Sequence, residues 1–337
     1  VVIVSRKGIF SLAILLVLGF MVSAAVLPNA AIAKDEDVIV LKLGHVTVPD
    51  NPYALGAAKM AELVKERTEG KVIIKLFPNA QLGKQQKLIE GLALGTIDFA
   101  MTTTAVLGQF EPKLLVFGFP YMMRDRAHAY KALDTIGMDL GKNLEPKGIK
   151  VLGFYENGVR HMVNEKRKIE KPEDMEGLKM RVMGTPVYIE LMKSLGADPT
   201  PMAFGEVYTA CQQGTIDGLE CPAVHIYQKK FFEVNKYVTK TAHTYESEVL
   251  TMSMKTWKKL PADIQEILVQ ANKEALAYAR DLAVEQEAGF FKMISESGVC
   301  QVDEVDLAPF KEKTKVVWQK LEKTVGKDLI EQIQAIN

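Results

Sequence analysis

The tetrapeptide Gly95-Thr96-Ile97-Asp98 returns unchanged as Gly214-Thr215-Ile216-Asp217. Two further patterns recur in the same order. Leu41-Lys42-Leu43-Gly44-His45-Val46, followed by Pro52-Tyr53, is echoed by Leu178-Lys179-Met180-Arg181-Val182-Met183, followed by Pro186-Val187-Tyr188. Pro78-Asn79-Ala80-Gln81-Leu82-Gly83 is echoed by Pro201-Met202-Ala203-Phe204-Gly205. Three ordered matches make coincidence a poor account, and an internal repeat has to be read before anything else in the chain. Each copy reads strand, turn, helix, strand, Pro-containing turn, helix, glycine stop, strand. Helices between strands act as crossover connections, so each copy builds a mostly parallel sheet with helices on its faces. In open α/β sheets the ligand sits beyond the carboxyl ends of the strands. The expected fold is therefore α/β and two-lobed, with a cleft between the lobes.

The segment before the first copy reads differently. Arg6 and Lys7 precede an apolar run from Ile9 to Val26, and Ala31-Ile32-Ala33 leads into the polar Lys34-Asp35-Glu36-Asp37. That is the pattern of a secretory signal peptide over residues 1–33, cleaved after Ala33. An uncleaved anchor is the competing reading, with a run near the lower length limit for a span. About 300 residues remain, enough for two lobes with a sizeable core. Taking Arg6 and Lys7 from 42 basic residues, against 42 acidic, leaves a net charge of −2. A near-neutral chain without a basic stripe argues against nucleic acid or an anionic membrane surface as partner. Three cysteines, Cys211, Cys221 and Cys300, form no disulfide framework in a chain of this size. Cys211 lies on an apolar helix face and reads as a buried thiol. The five histidines show no metal-ligand spacing with Cys, Asp or Glu, so neither metal nor cofactor is expected.

Between and after the repeats the chain crosses from lobe to lobe. A helix is expected over Asp125–Leu144, then a strand Lys150–Glu156 and a turn at Asn157-Gly158 as the first crossing. The polar β segment Lys236–Tyr245 reads as the second crossing, which makes a hinge of paired strands. From Pro261 to about Gly298, Ile264, Leu268, Ala271, Ala275, Tyr278 and Leu282 fall on one helical stripe. Such a helix is about 50 Å long, more than one lobe, and is expected to span both. Lobe I then comprises 34–157 with about 246–286, and lobe II 158–245 with about 287–337.

Arg181 stands inside a strand-like run beside a helix start at Thr185-Pro186. Its guanidinium fork suits a carboxylate in geometry and charge, and a structural pair with Glu206 is the alternative. Arg160 reads as a second ligand contact or a hinge-side salt bridge. Thr185 is expected to cap the helix from Pro186, whose N-terminus also favours an anion. Thr102, Thr103 and Thr104 either line a polar site or cap the next helix. Of the aromatics Tyr53, Phe119, Tyr155, Phe204 and Tyr227, about two should reach a ligand, since most aromatics are core. Cys221 and His225 stand four apart, a spacing open to a thiol nucleophile and its base, but no third group or oxyanion site accompanies them.

At this point the segments become specific. Asn79-Ala80-Gln81-Leu82-Gly83, Asn157-Gly158-Val159-Arg160, Lys171 to Val182 (KPEDMEGLKMRV) and Phe204-Gly205-Glu206-Val207-Tyr208-Thr209-Ala210 through Gly218, in this order, resemble the solute-binding proteins of tripartite ATP-independent periplasmic (TRAP) transporters of the DctP type. The resemblance covers the chain from about Lys42 onward. It implies a monomeric periplasmic receptor, not an enzyme, that captures a small carboxylate-containing organic acid and presents it to a permease of one small and one large membrane subunit. It further implies that Arg181 pairs with the substrate carboxylate and that Arg160 assists. The glutamate at Glu220 is usually followed by asparagine in that family, where this chain has Cys221, a poor hydrogen-bond donor. The expected ligand-binding residues are Arg181, Arg160, Phe204, Cys221, Tyr53, Thr185, Glu220 and Thr103. An ABC-type or sensor-associated binding protein, or a periplasmic hydrolase using Cys221, are the alternatives.

Overall fold

Nine strands lie in one sheet in the computed structural model, which describes residues 38–337. The expected signal peptide lies outside the described residues. The strands are β1 (Ile39–Gly44), β2 (Val72–Phe77), β3 (Phe99–Thr103), β4 (Ile149–Asn164), β5 (Lys179–Val182), β6 (Asp198–Pro201), β7 (Gly218–Pro222), β8 (Tyr237–Ser253) and β9 (Gln301–Glu304). Their order is β2-β1-β3-β8-β4-β7-β5-β6, with β9 beside β8.

The duplication is visible in the pairing. β1 lies parallel between β2 and β3, and β5 lies parallel between β6 and β7. The repeated tetrapeptide explains why it is kept. Gly95 and Gly214 end their helices with φ of 75° and 66°, a left-handed conformation that glycine adopts without a Cβ penalty. Three residues on, Asp98 accepts a hydrogen bond from the Lys42 amide at 2.9 Å, and Asp217 accepts one from the Lys179 amide at 2.9 Å. Lys42 and Lys179 occupy equivalent places in the first repeated pattern. Each aspartate thus ties the strand it opens to the first strand of its own copy.

β4 and β8 join the two halves. They run antiparallel from Ile149 opposite Ser253 to Asn164 opposite Tyr237, so both crossings lie side by side at the centre of the sheet. Asn157-Gly158 is not a turn, as expected from the dipeptide, but part of a single 16-residue strand. The register shifts between Glu156 and Gly158, and Gly158 has φ of 125°. A bulge absorbs the extra residue without reversing the chain. The expected strand Lys150–Glu156 is accordingly the first part of a longer one that runs on to Asn164.

The 35-residue helix Ala262–Glu296 spans both halves, as its length requires. Its first part buries Ile264, Leu268, Ala271, Ala275 and Ala279 among Tyr53, Met60 and Tyr155. Its last part buries Ile294 among Val207, Leu219 and Phe231. The stripe departs from expectation at Tyr278, which is exposed, while Ala279 faces inward. The reason is a close approach to the helix Pro52–Arg67: a Cβ on Gly56 would stand 2.7 Å from the Ala279 Cβ. A larger inward residue would hold the two helices apart. The expected helix Asp125–Leu144 is segmented into α (Arg126–Ala132), π (Leu133–Gly137), α (Met138–Gly141) and 3₁₀ (Lys142–Lys147) turns. Gly137 and Gly141 lie there against Phe154 and Val151 of β4, too near for a larger side chain.

Candidate functional site

A cavity of about 680 Å³ opens at the carboxyl ends of β1, β3, β5 and β7. The first half contributes Val46, Tyr53, Ala80, Lys84, Gln85, Thr103, Val106 and Gln109. The second contributes Arg181, Met183, Met202, Phe204, Glu206, Cys221 and His225, and the central strand β4 contributes Asn157 and Arg160.

Arg181 is the last residue but one of β5 and is only 3 % exposed. Its Nε and Nη2 both donate to the Met202 carbonyl, at 3.0 and 2.8 Å, which fixes the plane of the guanidinium. The Phe204 ring lies 5.8 Å from its centre. Among the described residues no carboxylate pairs with it. Glu206, the alternative partner considered from sequence, is bound to Lys84 of the other half. Burial lowers the Arg181 pKa to about 10, with the Glu220 carboxylate opposing that and the Arg160 charge adding to it. A buried cation without a counter-ion is costly, and an anionic ligand relieves that cost.

Arg160 differs. Its Nε donates to Glu220 Oε2, and its Nη2 donates to Glu220 Oε1 at 2.9 Å and to the Glu220 carbonyl at 2.8 Å. Burial disfavours its charge, but the Glu220 carboxylate outweighs that and holds its pKa above the ordinary arginine range. Arg160 thus forms a buried salt bridge and also lines the cavity. In each arginine Nη1 has no hydrogen-bond partner among the described residues. Two guanidiniums thus present unoccupied donors to one cavity.

Six of the eight expected residues line this space: Arg181, Arg160, Phe204, Cys221, Tyr53 and Thr103. Glu220 does not. It is fully buried, with Arg160 on one side and His243 Nε2 at 3.4 Å on the other, so it orients the arginine. Thr185 does not line it either, nor does its hydroxyl cap the helix Pro186–Ser194. The backbone turns tightly there, Thr185 N donating to Met183 O at 2.7 Å, and the buried hydroxyl meets no helix N–H. Thr103 serves both proposed ends. It caps the short helix Thr104–Leu107 by accepting from Val106 N at 3.3 Å, and it holds Gln85 Oε1 from its amide and hydroxyl at 2.9 and 3.0 Å. Among the aromatics, Tyr53 and Phe204 reach the cavity. Phe119 and Tyr155 are core, and Tyr227 stacks on Phe232.

Several residues escaped the sequence reading. Asn157, taken for a turn residue, is carried into the cavity by the bulge and donates to Glu248 Oε2 at 2.9 Å. Glu246 and Glu248 lie buried in β8. Glu246 accepts from the Ala105 amide at 3.1 Å and from Tyr188 OH at 2.6 Å, bridging the two halves. Burial raises these carboxyls to about 7 and about 8. Two acidic residues two apart in the apolar second half of a long strand were the available signal. The cavity rim is closed by bonds between the halves: Lys84 to Glu206, Gln109 Nε2 to Gly184 O at 3.1 Å, and Lys229 Nζ to Asn79 Oδ1 at 3.2 Å.

The thiol chemistry has little support. Burial pushes Cys221 up to about 12 and His225 down to about 3, the reverse of an activated nucleophile and its base. The His225 ring is instead wedged edge-on against Phe204 and Tyr53, at 5.3 and 6.1 Å. Cys211, Cys221 and Cys300 are all free and buried. Among the described residues no group of three His, Cys, Asp or Glu side chains could hold a metal ion, and no helix is long and apolar enough to cross a membrane.

Residues 43–324 match the family described as bacterial extracellular solute-binding protein, family 7, or DctP. The 2,3-diketo-L-gulonate-binding periplasmic protein YiaO of Escherichia coli is 36 % identical over 271 residues, 80 % of this chain and 83 % of that protein. Among solved structures, a TRAP periplasmic solute-binding protein from Polaromonas sp. JS666 bound to D-erythronate superposes with a TM-score of 0.86. It is 36 % identical, covering 89 % of this chain and 99 % of that one. A second, from Sulfurospirillum deleyianum with bound succinate, gives a TM-score of 0.86 at 34 % identity, with the same 89 % and 99 % coverage.

Proposed function

The chain belongs to the family 7 (DctP) bacterial extracellular solute-binding proteins, and from that premise we propose that its cavity captures a small organic acid by its carboxylate for delivery to a TRAP permease. Members of this family are receptors rather than enzymes and work in the periplasm. This chain reaches that compartment through a signal peptide at residues 1–33. The observation that carries the ligand reading is Arg181: a buried guanidinium, held in plane by Met202, with no carboxylate partner among the described residues and a free Nη1 in the cavity that Arg160 also lines. A ligand carboxylate supplies the missing counter-ion with charge-assisted hydrogen bonds. Tyr53, Thr103, Phe204 and Cys221 form the walls around the remainder of the ligand. Glu220 acts at one remove by positioning Arg160, and Thr185 lies beside the site without touching it.

The lobes are 34–157 with about 246–286, and 158–245 with about 287–337. In support, the residues at these boundaries face each other in the sheet: Gly158 pairs with Glu246, next to the bulge. Closure over the ligand brings the rim bonds together, and a ligand favours that form by its differential affinity for it. The permease then distinguishes loaded from empty receptor by the changed outer surface. The test is calorimetry against a panel of mono- and dicarboxylic acids and sugar acids, with small-angle scattering of the free and saturated protein. Binding of a carboxylic acid with a decrease in radius of gyration is expected. Failure of every acid, or identical scattering with and without a saturating one, overturns the reading.

A further inference from the structure

We propose that the cavity selects a monocarboxylate whose remaining body carries no charge, and discriminates against dicarboxylates. The proposal rests on the receptor reading above and narrows its ligand class. Its basis is the charge inventory of the walls. Four side chains of ordinary charge line the cavity: Lys84, Arg160, Arg181 and Glu206. Arg160 is neutralised by the Glu220 carboxylate behind it, through two hydrogen bonds. Lys84 is neutralised by Glu206, across the rim. One positive charge, that of Arg181, is left over. One negative charge balances it.

Among the described residues that line the cavity, no second cation lacks a carboxylate partner. Opposite Arg181 stand Val46, Tyr53, Ala80 and Val106, with the neutral amides of Gln85 and Gln109. Gln85 has its oxygen held by Thr103, which leaves its NH₂ as a donor for a hydroxyl or carbonyl of the ligand. Asn157 Oδ1, buried and without a partner, is an acceptor at the same wall and repels an anion. His225 contributes no charge, since burial keeps its ring neutral. Lys229 lies 5.9 Å from the Phe204 ring and donates to Asn79; it does not line the cavity. A dianion must therefore bury its second carboxylate without a cation of its own, draw Arg160 away from Glu220, or break a rim bond of Lys84 or Lys229. Desolvating an unpaired charge is among the most costly events in recognition. Sulfur and ring surfaces of Met183, Met202, Phe204 and Cys221 suit an apolar or sparingly hydroxylated body better than a second charged end.

The experiment is calorimetry on the full protein with matched series: adipate, its monomethyl ester and hexanoate; terephthalate, its monomethyl ester and benzoate; galactarate and galactonate. In the series that binds tightest, the monoanion should bind at least tenfold more tightly than the dianion, and esterifying one carboxyl should recover that factor. A dianion that binds as tightly as its ester or tighter overturns the proposal and leaves the receptor reading standing. Absence of binding throughout overturns both. Glu206→Gln supplies a second arm. Both partners of that rim pair are more than half exposed, so the variant is expected to fold. It unpairs Lys84, raises the inventory to two, and should shift the dianion-to-monoanion affinity ratio toward the dianion at least threefold. An unchanged ratio overturns the charge count.

Discussion

Replacing Arg181 by lysine tests whether planar geometry and persistent charge are both needed at the base of the cleft. The native guanidinium uses Nε and Nη2 on Met202 O and leaves Nη1 without a partner among the described residues. An ammonium has three donors on one atom and cannot satisfy the carbonyl and a carboxylate in one plane. Hydrogen bonds to charged groups are worth about 1.5–3 kcal/mol each, so loss of one predicts at least about a tenfold weaker affinity at pH 7, or 1.4 kcal/mol. Burial adds a second effect. It brings Arg181 down to about 10. The same desolvation lowers a lysine, ordinarily near 10.4, below the native arginine. Losing the proton removes the charge that binds the anion, so affinity falls as pH rises through the cation's pKa. Arg181→Lys should therefore start losing affinity at a lower pH than the native protein, which holds its affinity until about 10. Calorimetry with the tightest carboxylic acid at pH 7 and pH 9 measures both effects. Equal affinity at pH 7, or parallel profiles for the two proteins, refutes the assignment of Arg181 as the ligand's counter-ion.

Three further outcomes follow from other parts of the structure. Glu220→Gln leaves the Arg160 charge buried and uncompensated and should cost about 3–5 kcal/mol in urea denaturation; a loss below about 1 kcal/mol contradicts the positioning role given to Glu220. Gly56→Ala places a Cβ 2.7 Å from the Ala279 Cβ and from Tyr155 Cε1, and should destabilise by about 1–3 kcal/mol. Combining it with Ala279→Gly should give less than the sum of the two single losses, and strict additivity speaks against the contact. Glu248, held by burial up to about 8, keeps its proton in the folded state where the unfolded chain has released it. Its contribution is complete below the ordinary carboxyl range and is lost as pH rises through about 8. Glu248→Gln should flatten the decline in Tm over that window, and a decline as steep as the native one would exclude Glu248 as its source.

Much of the architecture was legible because it rests on local rules written twice. The glycine that ends a helix, the aspartate that ties a strand and the Pro-containing turn need only neighbours within one copy, so their recurrence announced two equivalent sheets. The span of the long helix was legible from its uninterrupted period. Arg181 stood out because a cation in a strand-like run conflicts with its surroundings, and Gly44 in the equivalent place shows the site to be asymmetric. A side chain at Gly44 would meet Leu88 and Leu82, so only the second half has room for the arginine.

What the tertiary structure decided lies where pairing depends on residues far apart. Whether Arg181 or Lys84 would take Glu206 is settled by how the two halves meet, and no local pattern encodes that. Glu220 became a partner of Arg160 rather than a ligand contact because the register of β4 and β7 places them together. Asn157-Gly158 became a bulge because β8 runs on past it, supplying partners that a turn would have forgone. Tyr278 gave way to Ala279 because a second helix comes within reach only after folding. Propensity and period act over a few residues and survive in the sequence; charge compensation, register and close approach exist only between segments that folding brings together.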